Sequence, residues 1–581
     1  MTSTPPPFAL RDYALLADGE RGVLIGPRGE MAWMCFPSWD SSSVFCSLLG
    51  GSGHYQVAPT SERFVWGGYY QESTLIWNSR WVTTDAVIEC REALAFPGDP
   101  DQAVILRRIK AVHGRADVMA RLDVCAEFGL RPMDDIRRHG TVWTARSGPV
   151  YLRWRPGPGV RRGRNGELTL HLDLEEGDQW DLILEMSTRP LDPDTVLTPE
   201  ELWSATEETW RQQVPVMDVM PCRRDASHAY AVLRGLTTSS GAMVAAATMS
   251  LPERAEAGRN YDYRYAWIRD QCFAGEAASA VSGAEFLLDS SVRFVVQRLL
   301  ADGRDLKPAY RTNGDPVPDE RDLTHLPGYP GGQVKIGNRA NVQFQLDGLG
   351  ESLLLLAAAE RAGRLEHDGW KAAEIAVDAI ASRWQEPDAG IWEIDDRMWT
   401  HSRLISVAGL RQIASVSTGA AAGRWTSLAD AISAETARTS VHPSGRWQRA
   451  PDDPKVDASL LFPMLRGGVA PDDPRTRATI QAIEEDLCQD GYLYRYRLDE
   501  RPLEEAEGAF SLCGFALSLV YLQQGDARLA TAWFERNRAS CGPPGLLTEE
   551  FDVGERQLRG NIPQAFVHAL LLECAARLSQ S

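Results

Sequence analysis

Hydrophobic and polar positions follow two different rhythms along this chain, and the change falls near residue 220. Before it, apolar residues recur at every second position. Leu168, Leu170, Leu172 and Leu174 are interleaved with Thr169, His171 and Asp173, the pattern of a strand with one face buried. Val104-Ile105-Leu106, Val142-Trp143-Thr144, Val150-Tyr151-Leu152 and Leu182-Ile183-Leu184 are similar runs, separated by turn signals such as Pro97-Gly98, His113-Gly114 and Asn165-Gly166. Many short strands without long helices between them predict an antiparallel β-sandwich over residues 1–197. A helical stretch from Thr198 to about Gln213 falls in a linker, residues 198–224.

From about Asp225 to the C-terminus the helical period takes over. The spacing predicts twelve helices, near 225–248, 269–282, 284–301, 342–362, 366–385, 401–421, 425–440, 456–467, 474–488, 508–525, 526–540 and 561–579. Leu346, Leu349, Leu353 and Leu356 share one face, as do Val567, Leu570, Leu571, Cys574 and Leu578. The connections carry more information than the helices. Those after even-numbered helices are minimal: Ser282-Gly283, Gly363-Arg364-Leu365, Ala422-Gly423-Arg424, Gly468-Val469-Ala470 and Gly525. Those after odd-numbered helices are long, about 249–268, 302–341, 386–400, 441–455, 489–507 and 541–560. Helices alternating in direction put every long loop at one end. Six such hairpins in a ring make an all-α (α/α)6 toroid over 225–581, with the long-loop end free to build a site.

Composition narrows the class. At 581 residues the chain is too long for one ordinary core and fits a two-domain protein. A net charge of -19 argues against nucleic acid, which needs a basic face, and against anionic membranes. The segment Met1-Thr2-Ser3-Thr4-Pro5-Pro6-Pro7 has no basic or apolar region, so no secretory leader is expected, and no run approaches the roughly 20 apolar residues of a membrane span. Ten scattered cysteines with no C-x-x-C pair read as reduced thiols of a cytoplasmic protein. The oligomeric state stays open, a homo-oligomer included.

The long loops hold Tyr261, Tyr263, Tyr265, Trp267, Tyr310, Tyr329, Trp392, Trp399, Trp447, Tyr492, Tyr494 and Tyr496 among many carboxylates. Aromatic faces cover the C–H faces of a sugar, and charged groups bind its hydroxyls. Glycosidic cleavage needs one carboxyl to protonate the leaving oxygen and a second opposite it; in inverting enzymes the two stand ~6.5–9.5 Å apart, with a water between. Two loop motifs offer them: Gly390-Ile391-Trp392-Glu393, a glutamate beside an indole, and Leu546-Leu547-Thr548-Glu549-Glu550-Phe551-Asp552. No H-E-x-x-H, zinc-spaced Cys/His cluster, P-loop or G-x-S-x-G elbow occurs, so neither metal nor other cofactor is expected.

An ordered set of segments then carries a resemblance. They are Asn260-Tyr261-Asp262-Tyr263-Arg264-Tyr265-Ala266-Trp267-Ile268-Arg269-Asp270, Gln343-Phe344-Gln345-Leu346-Asp347, Gly390-Ile391-Trp392-Glu393, Thr400-His401-Ser402-Arg403, Glu507-Gly508-Ala509-Phe510, Gly545-Leu546-Leu547-Thr548-Glu549-Glu550 and Asn561-Ile562-Pro563-Gln564-Ala565-Phe566. Together they resemble glycoside hydrolase family 15, which includes glucoamylases, glucodextranases and bacterial trehalases. Asp12-Tyr13-Ala14-Leu15-Leu16 and Met31-Ala32-Trp33-Met34-Cys35-Phe36-Pro37 look like its bacterial branch. The resemblance implies a β-sandwich joined to an (α/α)6 barrel and metal-free hydrolysis with inversion from the non-reducing end. By motif, Glu393 matches the general acid and Glu549 the general base, with Glu550 its rival. Trp267, Arg269 and Asp270 match a set gripping the terminal glucose. Trp392, Tyr263, His401 and Glu507 are further candidate substrate contacts, each with a second reading: Trp392 as shelter for Glu393, Tyr263 as scaffold, His401 as a cap of the sixth helix and Glu507 as an acid stabilising a helix N-terminus. Tyr261, Gln271 and Asn338-Arg339-Ala340-Asn341 depart from the family pattern and put the leaving-group preference in question.

The reading placed first is an inverting exo-α-glucosidase of glucoamylase type, acting on an α-glucoside oligo- or disaccharide. Trehalase is its alternative, needing the same carboxylate pair and a different pocket beyond the scissile bond. A disaccharide phosphorylase would replace the base with a phosphate pocket, which Glu549-Glu550 would repel. A sugar-binding protein without catalysis is the remaining class, against which both carboxylates speak.

Overall fold

The structure is a computed structural model describing residues 6–254, 259–498 and 501–580. Met1 to Pro5, part of the segment read above for a leader, lie outside the described residues.

The period-two half pairs into two eight-stranded antiparallel sheets packed face to face. The predicted leucine strand is Leu168–Leu174, with its leucines buried and His171 and Asp173 exposed; it pairs with Ala116–Asp123, setting Leu170 opposite Ala120 and Leu172 opposite Val118. In the other sheet Gln102–Gly114 lies between Gln179–Ser187 and Ala86–Leu94. The inner faces meet over Tyr55, Trp77, Trp81 and Trp154. The linker helix, Pro199–Gln213, starts with proline in its first turn, where the missing N–H is unneeded. It buries Trp203 and Trp210, and Trp210 stacks on Phe96 with ring centres 4.1 Å apart.

Among the described residues, six hairpins of the helical half are built from α1 (Arg223–Leu236), α2 (Ile268–Ser279), α3 (Glu285–Asp302), α4 (Leu346–Arg361), α5 (His367–Arg383), α6 (Thr400–Val416), α7 (Ala420–Thr439), α8 (Leu461–Arg466), α9 (Pro474–Leu487), α10 (Ser511–Gln523), α11 (Ala527–Arg538) and α12 (Ala565–Leu578), with one further short helix, Leu503–Ala506, in the loop before α10. The even-numbered helices form the inner ring: α2 packs on α4, α4 on α6, α6 on α8, α8 on α10, α10 on α12, and α12 back on α2. Inner helices are buried on every side, so Ser511–Val520 carries no polar stripe, whereas outer α11 buries only one face, along Ala530, Trp533, Phe534 and Asn537. Where α4 crosses α6, a Cβ at Gly350 would lie 2.8 Å from the backbone of Ile405, and one at Gly409 2.4 Å from the carbonyl of Gly350. Only glycine permits that approach.

Two boundaries differ from expectation. α1 ends at Leu236 rather than near 248: Thr237 takes an extended backbone, and the chain turns back through Gly241, at φ 95, whose N–H donates to the Thr238 carbonyl at 3.0 Å. The α6–α7 turn lies at 417–419, where Gly419 takes φ 85, so the predicted connection at Ala422-Gly423-Arg424 is helical. Gly423 is tolerated inside a helix, but positive φ demands glycine.

Sandwich and barrel share one continuous hydrophobic core. Trp33 donates its indole N–H to the Ala247 carbonyl at 2.9 Å. From the loop entering α2, Arg264 pairs with Asp262 at 2.8 Å and reaches back to the Ser41 carbonyl at 2.5 Å. The sandwich therefore holds, from behind, the loop that carries Tyr263 and Trp267. All ten cysteines are free, and among the described residues no helix is long and apolar enough to cross a membrane.

Candidate active site

At the long-loop end of the toroid a cavity opens between the loops preceding α2, α4, α6, α10 and α12. Both sequence-nominated carboxylates line it, together with Tyr263, Trp267, Arg269 and Trp392.

Glu393 arrives on a tight turn between α5 and α6. Gly390 takes φ 64, and a Cβ there would lie 2.6 Å from Trp399, so the turn needs glycine. Buried Asp388 fixes the turn from beneath, accepting from the Gly390 N–H at 2.9 Å, the Ser402 hydroxyl at 2.8 Å and Arg403 at 3.1 Å. The Thr400-His401-Ser402-Arg403 motif thus anchors this loop. Glu393 itself sits at φ 55, a left-handed backbone that a non-glycine residue keeps only when its surroundings enforce it. Its Oε1 accepts the Trp267 indole N–H at 2.7 Å and lies 4.0 Å from Arg269 Nη1. The side chain remains partly exposed on the cavity wall. The indole adjacent in sequence points elsewhere: Trp392 donates to Asp457 at 2.8 Å and meets Phe510 edge-on.

Glu549 and Glu550 are separated by strand geometry. Glu550–Asp552 pairs with Ala509–Phe510 and Gln557–Arg559, and successive side chains of a strand face opposite ways. Glu549 lines the cavity. Glu550 does not; it is fully buried, binds Arg495 at 3.2 Å and accepts the Gly508 N–H at 2.9 Å. Glu549 is also buried, and its Oε2 accepts the Tyr263 hydroxyl at 3.1 Å. Burial first, then the nearby charge of Glu253, hold its carboxyl well above the ordinary value of 4.5, while Arg495, Arg269 and the Tyr263 bond pull the other way.

Among the nominated substrate contacts, Arg269 binds Asp270 through Nε and Nη2 at 3.1 and 3.0 Å and donates from Nη1 to the Ile391 carbonyl at 2.7 Å. One N–H on each Nη remains for the cavity. Asp270 stands behind it, off the cavity wall, with Oδ1 buried and unpartnered. Tyr263 stacks on Tyr261 and meets Trp267 edge-on. His401 does not reach this cavity. It borders a small void behind Trp392, beside Asp457 and Arg449, and burial lowers its pKa to about 3, so it is neutral. Glu507 is likewise off the wall, its carboxylate gripped by Arg495 at 2.9 Å and Arg259 at 3.0 Å.

Sequence reasoning did not nominate Glu253, Arg259, Arg495 or Gln564, all of which line the cavity. Arg495 lies among Tyr492, Tyr494 and Tyr496, noted only for their rings; Glu253 in Leu251-Pro252-Glu253 gave no signal. Of the atypical positions, Tyr261, Asn338 and Arg339 line the cavity, but Gln271 turns away, binding the Met243 N–H, the Gly241 carbonyl and Ser291. Among the described residues no group of three or more His, Cys, Asp or Glu side chains is disposed to hold a metal ion.

The family profile described as glycosyl hydrolases family 15 matches residues 227–576, and one described as trehalase-like, N-terminal, matches residues 6–161. A protein named trehalase from Mycobacterium tuberculosis is 30% identical, over 99% of this chain and 90% of its own. Trehalase 1 from Sulfolobus acidocaldarius is 27% identical over 97% of this chain and 98% of its own. In fold, a bacterial glucoamylase solved with acarbose matches with a TM-score of 0.72 at 13% identity, covering 100% of this chain and 94% of that one.

Proposed function

We propose that this chain, which belongs to glycoside hydrolase family 15, hydrolyses the bond between the two glucose units of α,α-trehalose with inversion. Glu393 acts as general acid and Glu549 as general base. The observation that carries the reading is that two carboxylates from loops far apart in sequence line one cavity, each with one oxygen fixed by an aromatic donor. Trehalose stands ahead of the glucoamylase-type reading that the sequence placed first, because proteins named trehalase match this chain over nearly its whole length. Arg259, Glu320, Asn338, Arg339 and Gln343 supply donors and acceptors for the hydroxyls of a second glucose.

Glucose enters against Trp267, and the free N–H groups of Arg269 bind its hydroxyls. With Oε1 held by Trp267, Glu393 gives its proton from the other oxygen to the glycosidic oxygen. Glu549, steadied at Oε2 by Tyr263, takes a proton from the water that attacks the anomeric carbon on the opposite face. A base must be ionised to act. Because Glu549 is raised, activity is lost as pH falls through a value above 4.5.

Glucose release from trehalose, maltose, isomaltose, kojibiose, nigerose and soluble starch tests the substrate. The highest kcat/KM belongs to trehalose. Preference for maltose or starch returns the reading to a glucoamylase type, and formation of glucose 1-phosphate in phosphate buffer replaces it with a phosphorylase.

A further inference from the structure

The Tyr263 hydroxyl touches two carboxylates at once. It lies 3.1 Å from Glu549 Oε2 and 3.3 Å from Glu253 Oε1. A phenol has one proton to donate, so it satisfies one of them at a time. Glu253 is 3% exposed, yet two cations hold its far oxygen: Oε2 lies 3.3 Å from Arg495 Nη2 and 3.4 Å from Arg259 Nε. A carboxyl group gripped by two guanidinium groups thus stands beside the candidate base.

We infer that Glu253 is a positioning residue for the hydrolysis: its charge and its claim on the Tyr263 hydroxyl keep Glu549 avid for the proton of the attacking water. While Glu549 is ionised, Tyr263 donates to it. Once Glu549 has taken the water's proton and become neutral, the hydroxyl turns to Glu253. Tyr263 keeps its own proton throughout; the one proton gained is the water's, on Glu549. The swing keeps the buried phenol hydrogen-bonded to a carboxyl oxygen in both states, Glu549 Oε2 before and Glu253 Oε1 after.

The other groups facing Glu549 and Glu253 do not perform this role. Arg269 and Arg495 favour the ionised form of Glu549. Glu507 and Glu550 are bound to Arg495, and Arg259 spans Glu253 and Glu507. Glu393 accepts from Trp267, Tyr261 stacks on Tyr263, and Tyr496 packs against Arg495. Cys513 on α10 is a neutral buried thiol, burial raising it well above 9.0.

The inference rests on Glu549 being the base, and the full chain tests both separately. The readout is the pH dependence of kcat/KM on trehalose or an activated α-glucoside, for the parent enzyme, Glu253→Gln, Glu253→Asp and Tyr263→Phe. Glu253→Gln keeps an acceptor for Tyr263 but removes the charge; its acid limb moves to lower pH, with kcat falling more than KM changes. Glu253→Asp returns the limb toward the parent position. Tyr263→Phe removes the donor that favours ionised Glu549, so its limb moves to higher pH. A merely structural Glu253 lowers activity and leaves the limb where it was. An unmoved limb in Glu253→Gln overturns the inference, as does an unmoved limb in Tyr263→Phe if Glu253→Gln does not fold. Should Glu549→Gln retain parental turnover, the base assignment itself falls.

Discussion

Two glutamates adjacent in the chain, Glu549 and Glu550, differ completely in surroundings because a strand turns successive side chains to opposite faces. One looks into the cavity; the other is spent on Arg495 and the Gly508 N–H. Sequence could nominate the pair, since Thr548-Glu549-Glu550 sits before the last helix, and it preferred Glu549 only by family pattern. Trp392, next to Glu393 in the chain, is read from sequence as stacking on glucose or sheltering Glu393; it donates to Asp457, and the indole bound to Glu393 is Trp267, far away in sequence. Long-range partners of this kind leave no local trace, which is also why Glu253 and Arg495 went unread. Glu393→Gln and Glu549→Gln are each expected to lower kcat by about 10²–10⁴-fold, the usual contribution of general acid–base catalysis. Steady-state kinetics on folded variants checks this, and parental rates in either one would remove its assigned role.

Among elements, loop length was the clearest signal. Short turns after even-numbered helices and long loops after odd ones gave the hairpin order, and the inner ring closes as that order requires. Boundaries were less legible: α1 gives way to extended backbone at Thr237, a dozen residues early, and nothing in hydrophobic spacing announces it. The α5–α6 loop shows how an element positions chemistry. Asp388 grips the turn, and Gly390 allows the backbone that projects Glu393. Gly390→Ala therefore forces an alanine to φ 64 and drives its Cβ to 2.6 Å from Trp399. The expected cost is about 1–3 kcal/mol of stability by urea unfolding, with kcat reduced because Glu393 moves. A variant with unchanged midpoint and kcat would show that the turn is not under this constraint.

For the molecule as a whole, the sandwich braces the candidate site without lining the cavity. Arg264 reaches the Ser41 carbonyl and Trp33 reaches the Ala247 carbonyl, so the chain's first half fixes the segments flanking Tyr263 and Trp267. The shift from period two to helical period announced both halves, but not this seam, whose hydrogen bonds join residues more than two hundred positions apart. What the assembled molecule does is most directly read from the anomers it releases. Both anomeric carbons of α,α-trehalose are α; inversion at the attacked carbon yields one β-glucose, while the leaving glucose keeps its α configuration. Proton NMR of trehalose cleavage, recorded faster than mutarotation, is therefore expected to show α- and β-glucose appearing in equal amounts. Appearance of α-glucose alone would mean retention, and would contradict a mechanism in which Glu393 protonates and Glu549 activates water.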